Sequence, residues 1–376
     1  MDIMLWLVVV AVFCSVVVRW VLPKTVTWLE ASALAAVLCV VLAGAYGLTF
    51  WSATSDTEIL NGYVTGKEQN RVSCSHSYSC NCRQVCSGSG QNQSCSQQCD
   101  TCYEHSHDWD WDVYSTVGTF NISRIDRQGV EEPPRWTQAK ISEPAATTNG
   151  YTNYIKAAPN SLFNLKLAEQ EASKNATVIP AYPELYDYYR VNHVLDVNVG
   201  LGKQAEALDT AIDNALTIMG GARQVNVLLV FVQGRGREYK ELLERAWLGG
   251  KKNDLVIVFG MSDRQNIAWV ESFTFAKSQG NAMLQVVLRD ELQKLGTISD
   301  ATLLTRTISK ATYAHFKRVP MAKFKYLEDD IEPSGTAIAI IIILMLIIIG
   351  GGSYLLHKHD LFSEQSRFGY RRSRRY

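Results

Sequence analysis

Long apolar runs occupy both ends of this chain, and alternating or periodic patterns fill the middle. Residues 336–354 carry no charge and are dominated by isoleucine. At ~1.5 Å per residue, a helix of that length matches a hydrocarbon core of ~30 Å. Residues 3–18 and 29–51 are also apolar, and Arg19, Pro23 and Lys24 separate them, which predicts a helical hairpin. Cations follow the first run instead of preceding it, which argues against a cleaved leader. Three transmembrane α-helices are therefore expected, two within 1–51 and one within 334–356. Cys14 and Cys39 fall inside them as small apolar residues.

Between these ends the pattern changes several times. Residues 52–72 turn polar, with Asn61-Gly62 as a turn signal, and predict a short stalk with room for one strand. Asp108, Asp110 and Asp112 alternate with Trp109 and Trp111. That period of two predicts a strand pair at 110–114 and 118–125, its aspartates solvated on one face, with a calcium site as the alternative. Glu131-Glu132-Pro133-Pro134 and Ser142-Glu143-Pro144 make 128–160 an extended, loop-rich connection. Tyr151, Tyr154, Tyr182, Tyr186, Tyr188 and Tyr189 suit a packed seam, and 191–199 tends towards a strand.

Farther on, Leu208, Ile212, Leu216 and Met219 mark one stripe of an amphipathic helix at 204–219. Short β-branched runs at 225–232 and 255–259 predict buried strands, with a helix at 238–248 between them. A third strand at 267–275 is expected to pair with the second through a turn at Asp263-Arg264, and helices at 284–295 and 300–318 close the order. The fold class is α/β with a layered sheet at 200–333, preceded by a β- and loop-rich region at 108–199.

Charge sets the expected orientation. Residues 52–333 hold 29 Lys+Arg against 33 Asp+Glu, a mildly acidic balance that makes nucleic acid a poor partner. Arg19 and Lys24 place the hairpin turn in the cytoplasm, and Lys358, Arg367, Arg371, Arg372, Arg374 and Arg375 place the tail there too. The large domain is then extracytoplasmic, and the basic tail at 357–376 meets anionic headgroups of the bilayer. Asn92, Asn121 and Asn175 begin glycosylation triplets, relevant only in a eukaryotic secretory pathway.

Cysteine is concentrated in a module at 73–107. Cys74, Cys80, Cys82, Cys86, Cys95, Cys99 and Cys102 are spaced by Ser, Gln, Asn and Gly, so burial cannot hold this segment. Three disulfides with one thiol left over is one solution. Zinc on pairs such as Cys82/Cys86 and Cys99/Cys102, assisted by His76, His105 or His107, is the other.

Specific features then appear at 225–318. The segment Ala246-Trp247-Leu248-Gly249-Gly250-Lys251-Lys252-Asn253-Asp254 closes a helix, an aliphatic strand follows, and Ser262-Asp263-Arg264 ends it. These features resemble the TPM domain, a small α/β module of bacterial and plastid membrane proteins that commonly precedes a C-terminal transmembrane helix. The resemblance spans about 200–318, and the whole arrangement is similar to uncharacterised membrane proteins of bacteria and tailed phages. Some TPM-type proteins are described as acid phosphatases and others as assembly or repair factors for membrane complexes. The resemblance implies Asp254 and Asp263 as acidic positions close enough for one divalent cation or phosphate. The family's Gly-Tyr-Gly after the second strand is replaced here by 267–280.

No nucleophile elbow or metalloprotease helix is present, His193 and His315 read as lone structural histidines, and Gly234-Arg235-Gly236-Arg237 reads as a solvated loop. The leading expectation is a non-enzymatic, membrane-anchored scaffold. Its TPM-like domain docks another membrane or envelope protein, braced by the cysteine-rich insertion. A TPM-type phosphatase using a divalent cation and a zinc-binding membrane protein are the alternatives.

Overall fold

The structure, a computed structural model, describes residues 2–23, 26–87, 94–158, 179–275 and 279–359. Lys24, Asn92, Asn175 and the basic tail from Asp360 onward lie outside the described residues. The chain divides into two compact units.

The first unit contains Met1–Asp56, Gly150–Gln170 and Pro320–Tyr376. Its helices are α1 (Asp2–Val21), α2 (Trp28–Thr54) and a C-terminal apolar helix, Gly335–His359. Thr27 starts α2 with a capping box. The Thr27 N–H donates to Glu30 Oε2 at 2.7 Å and the Glu30 N–H donates to Thr27 Oγ1 at 3.3 Å, which accounts for a carboxylate inside an apolar run. Ala11, Leu34, Leu38, Leu42, Ile341 and Met345 pack the three helices together, whereas Leu5, Phe13, Val40, Leu48 and Leu346 face outward.

Among the described residues two helices, Trp28–Thr54 and Gly335–Leu356, are long and apolar enough to cross a membrane. Only 17% and 11% of their most apolar stretches are buried by protein, so most of each apolar surface is left uncovered by the chain itself. The apolar run of α1, Leu5–Val21, is shorter than the ~20 residues a span needs. The expected set of three spans is thus met by length and composition in two helices.

The second unit, Thr57–Asn149 and Glu171–Val319, is built around two four-stranded sheets, with two further two-stranded pairs among the described residues. The chain passes from α2 into β1 (Ser55–Val72) without a loop, so the stalk expected at 52–72 is an 18-residue strand. After β2 (Ser77–Ser87) and β3 (Ser94–Tyr103) come β4 (Asp108–Ser115) and β5 (Gly118–Ile122), the strand pair expected there. The supposed loop at 128–160 contains a short helix α3 (Pro134–Gln138), β6 (Pro144–Thr152) and α4 (Tyr154–Ala157). The first sheet has the order β5-β4-β1-β6. Val64, Trp111, Val113, Ile122, Ala145 and Tyr189 form its core, and Trp136 of α3 meets Trp111 edge-on at 4.8 Å.

A two-residue pair, β7 (Leu185–Tyr186) and β8 (Arg190–Val191), leads into β9 (Val194–Val197) and α5 (Lys203–Arg223). Next come β10 (Asn226–Gln233), α6 (Tyr239–Ala246), β11 (Asp254–Met261), β12 (Ile267–Thr274), α7 (Gln279–Leu295) and α8 (Ala301–His315). The second sheet runs β12-β11-β10-β9, with β9, β10 and β11 parallel and β12 antiparallel.

Strand periodicity divides its side chains between two cores. Val227, Leu229, Phe231, Leu255, Ile257 and Phe259 pack under α5, α7 and α8, and Leu228, Val230, Val232, Val256 and Val258 pack under α6. Burial on both faces explains why β10 and β11 read as continuous apolar runs. Each large side chain placed there contributes roughly 1.5–3 kcal/mol.

Candidate functional site at the root of a disulfide-laced hairpin

β2 and β3 form a separate antiparallel pair whose side chains are almost all exposed. With no core to order it, the pair depends on covalent links. Cys80–Cys102, Cys82–Cys99 and Cys86–Cys95 are disulfides, closing separations of 22, 17 and 9 residues. Loops of this size remove about 3 kcal/mol of unfolded-state entropy each. The zinc pairs Cys82/Cys86 and Cys99/Cys102 are therefore not ligand pairs: every one of these sulfurs is bonded across the hairpin.

Cys74 is the thiol left over, and the strand registers decide where it goes. Val72 of β1 pairs with Asp108 of β4, and Ser77 of β2 pairs with Tyr103 of β3. The connections 73–76 and 104–107 are pinned side by side, and the Glu104 N–H donates to the His76 carbonyl at 3.1 Å. Cys74 is buried with its Sγ 3.8 Å from His105 Nδ1. His105 Nδ1 lies 3.4 Å from Asp108 Oδ1, and His76 Nδ1 lies 3.7 Å from Asp108 Oδ2. His107 stands outside this cluster, its Nδ1 at 2.8 Å from Ser106 Oγ and 3.3 Å from Arg71 Nη2.

Asp108 is the residue that the alternating pattern misplaced: it is fully buried, not solvated. Its Oδ2 accepts from the Ser75 N–H at 2.9 Å, from Ser75 Oγ at 3.2 Å and from Arg124 Nη1 at 2.8 Å. The Ser75 amide, followed by Arg124, holds this carboxyl well below the usual carboxylate range against the cost of burial. Among the described residues its Oδ1 accepts no well-formed hydrogen bond, with His105 Nδ1 3.4 Å away. Asp110 binds Arg124, and Asp112 accepts from Asn70 and Asn121, so all three aspartates have protein partners.

Asp254 and Asp263, the pair implied by the TPM resemblance, do not meet. They lie at opposite ends of β11, and at ~3.3 Å per residue the strand keeps them more than roughly 20 Å apart. Asp254 is buried and accepts from Tyr182 Oη at 2.8 and 3.1 Å, Asn226 Nδ2 at 2.9 Å and the Lys251 N–H at 2.7 Å. Burial outweighs these donors and pushes its carboxyl up to about 6. Asp263 is exposed and caps a turn through the N–H groups of Gln265 and Asn266. The Gly234 loop is occupied by its own side chains, since the Gly236 N–H donates to Glu238 and Arg237 pairs with Glu271.

His193 is not a lone histidine. Its Nδ1 lies 2.6 Å from Asp213 Oδ1 and its Nε2 lies 3.1 Å from Asn226 Oδ1. Asn226 turns its amide N–H₂ to Asp254, so the oxygen facing His193 makes Nε2 a donor. A buried polar line thus runs from Asp213 to Tyr182 along the start of the second sheet. It borders a cleft of about 450 Å³, lined among others by Glu143, Tyr186, Tyr189, Arg190 and Asp209. Asp209 accepts the N–H groups of His193 and Val194 at 2.7 and 3.1 Å, and burial together with the Asp213 charge pushes its carboxyl up to about 6. A histidine and carboxylate in direct hydrogen-bond contact leave no room for an ion between them, which separates this group from the Cys74 cluster.

No family model, curated protein or solved structure matches the chain.

Proposed function

We propose that this is a membrane-anchored protein with its large unit outside the cytoplasm, which uses the disulfide-laced hairpin to hold another membrane or envelope protein. The observation that carries the reading is the hairpin itself: three disulfides fix two strands that bury almost nothing within their own chain. Tyr78, Val85 and Tyr103 are exposed on it, at 52%, 40% and 58%. Ordering such an element is costly, and a rigid strand pair bearing apolar side chains suits recognition.

Disulfides belong to oxidising compartments, which supports the outward placement. The proposed topology has three spans, with α1 crossing beside α2 and the C-terminal helix, Arg19 at a cytoplasmic turn and the tail cytoplasmic. The TPM-like reading of the second sheet is part of the proposal. It is supported by the order of helices and strands and by the turn at Gly250-Lys251, where Asp254 accepts the Lys251 N–H.

A photo-crosslinking amino acid at position 78, 85 or 103 in intact cells tests the reading. A discrete adduct with a second membrane or envelope protein is expected from at least one position. The same cells, treated with an impermeant maleimide, are expected to label hairpin thiols only after external reduction. No adduct from any of the three positions removes the binding role, and labelling that needs lysis removes the outward placement.

A further inference from the structure

We propose that Cys74, His76, His105 and Asp108 bind one zinc ion at the root of the hairpin. The ligand atoms all lie within 4.8 Å of one another. Cys74 Sγ and Asp108 Oδ1 stand 3.8 and 3.4 Å from His105 Nδ1, the second too long for a good hydrogen bond, and His76 Nδ1 stands 3.7 Å from the other carboxylate oxygen, Oδ2. The two separations at His105 Nδ1 lie close to the edges, about 3.3–3.6 Å, of a tetrahedron drawn with Zn–S of about 2.3 Å and Zn–N or Zn–O of about 2.0–2.1 Å. His193 and Asp213, at 2.6 Å, show what a proton-sharing pair looks like in the same protein.

A second observation points to a cation independently of that spacing. Asp108 is fully buried, and while one of its oxygens is saturated by Ser75 and Arg124, the other accepts no well-formed hydrogen bond among the described residues and faces His105, with the Cys74 thiol also directed at the carboxylate. Buried carboxylate oxygens are rarely left in that state, because desolvation without a partner is costly. A metal ion supplies the partner. Arg124 then acts as an outer-shell group, fixing the carboxylate while bridging to Asp110.

The donor set selects the metal. One thiolate, two imidazoles and one carboxylate exclude calcium and magnesium, which take oxygen, and suit the borderline-soft zinc ion. Four protein ligands close the coordination sphere, so the site is structural. Binding releases the Cys74 thiol proton and leaves thiolate, carboxylate and Zn²⁺ with no net charge. The proposal also explains the odd cysteine, since the six other thiols of the module are consumed in disulfides. Zinc and disulfides then coexist in one module, and the site does not depend on which partner the hairpin holds.

The test uses the full chain purified from membranes in detergent, with zinc measured per chain and the three disulfides verified by mass mapping. One zinc per chain is expected, retained by His107→Gln and lost in Cys74→Ser and in His105→Gln. With cobalt in place of zinc, a thiolate-to-cobalt charge-transfer band is expected, absent from Cys74→Ser. Should those variants fail to fold, the wild-type chain decides: a chelator must speed alkylation of Cys74, and added zinc must restore protection. Zinc-free protein with intact disulfides after zinc loading, or a Cys74 alkylation rate indifferent to chelator, overturns the site. Equal zinc loss in His107→Gln and His105→Gln overturns this ligand set.

Discussion

Glu58 and Arg318, 260 positions apart, are joined by a charge-assisted hydrogen bond from Arg318 Nε to Glu58 Oε2 at 3.2 Å and by a second contact through Nη2. Glu58 is fully buried, and Lys252 Nζ at 2.9 Å and Asn149 Nδ2 at 2.8 Å complete its shell. Removing the carboxylate leaves two cations facing each other without compensation. Glu58→Ala is expected to cost about 3 kcal/mol, read as a lower urea midpoint by tryptophan fluorescence. A loss within experimental error would show the pair to be solvated.

Asp209 gives the domain a pH signature. Its carboxyl titrates near 6 in the folded protein, above its unfolded value, so between about pH 4 and 6 the folded state binds more protons than the unfolded one. Stability therefore falls as pH rises through that window, and Asp254, also raised to about 6, adds in the same direction. Asp209→Asn keeps an oxygen for the N–H groups of His193 and Val194 while removing the charge beside Asp213. It is expected to recover no more than about 2 kcal/mol at pH 7 and to flatten the slope. An unchanged stability–pH curve refutes the assignment.

Two adjacent glycines of α5 should behave oppositely. A Cβ on Gly220 would lie 2.1 Å from the Asn61 carbonyl oxygen, a backbone atom of β1, whereas a Cβ on Gly221 meets nothing within 4 Å. Gly220→Ala is expected to cost about 1–3 kcal/mol by forcing strand and helix apart. Gly221→Ala should gain up to about 1 kcal/mol from helix propensity. Thermal midpoints of the two variants, moving in the same direction, would contradict this packing.

Reduction should act locally. Breaking the three disulfides removes what orders β2 and β3 but touches none of the contacts of β10 and β11. Hydrogen exchange is expected to rise across the hairpin amides under reductant and to stay slow in the two central strands. Exchange that rises equally in β10 and β11 would show that the hairpin supports the α/β core.

The parts legible in the sequence are those where one physical demand dominates. β10 and β11 are buried on both faces, so their apolar runs are unambiguous, and α5 carries its stripe because only one side is buried. β6 was obscured by Pro144, which reads as a breaker, yet β6 is an edge strand and an edge tolerates a missing N–H. β1 was obscured by its polar composition, although eight of its residues pair with β4. The Cys74 cluster needed strand register: Cys74-x-His76 and His105-x-x-Asp108 are unremarkable until Val72 pairs with Asp108. Asp254 and Asp263 show the converse, since nearness in sequence along a strand is distance in space.

The disulfides are nested, with Cys86–Cys95 inside Cys82–Cys99 inside Cys80–Cys102. Closing a short loop loses the least entropy, so the innermost bridge is the easiest to form first, and it sets the strand register that brings the next pair together. The hairpin is in this sense a zip that aligns its own teeth from the tip downward. During biosynthesis from the N-terminus, Cys74 precedes every one of those partners. Its burial beside two histidines amounts to a quarantine, keeping one thiol out of a fastening order that has no tooth for it.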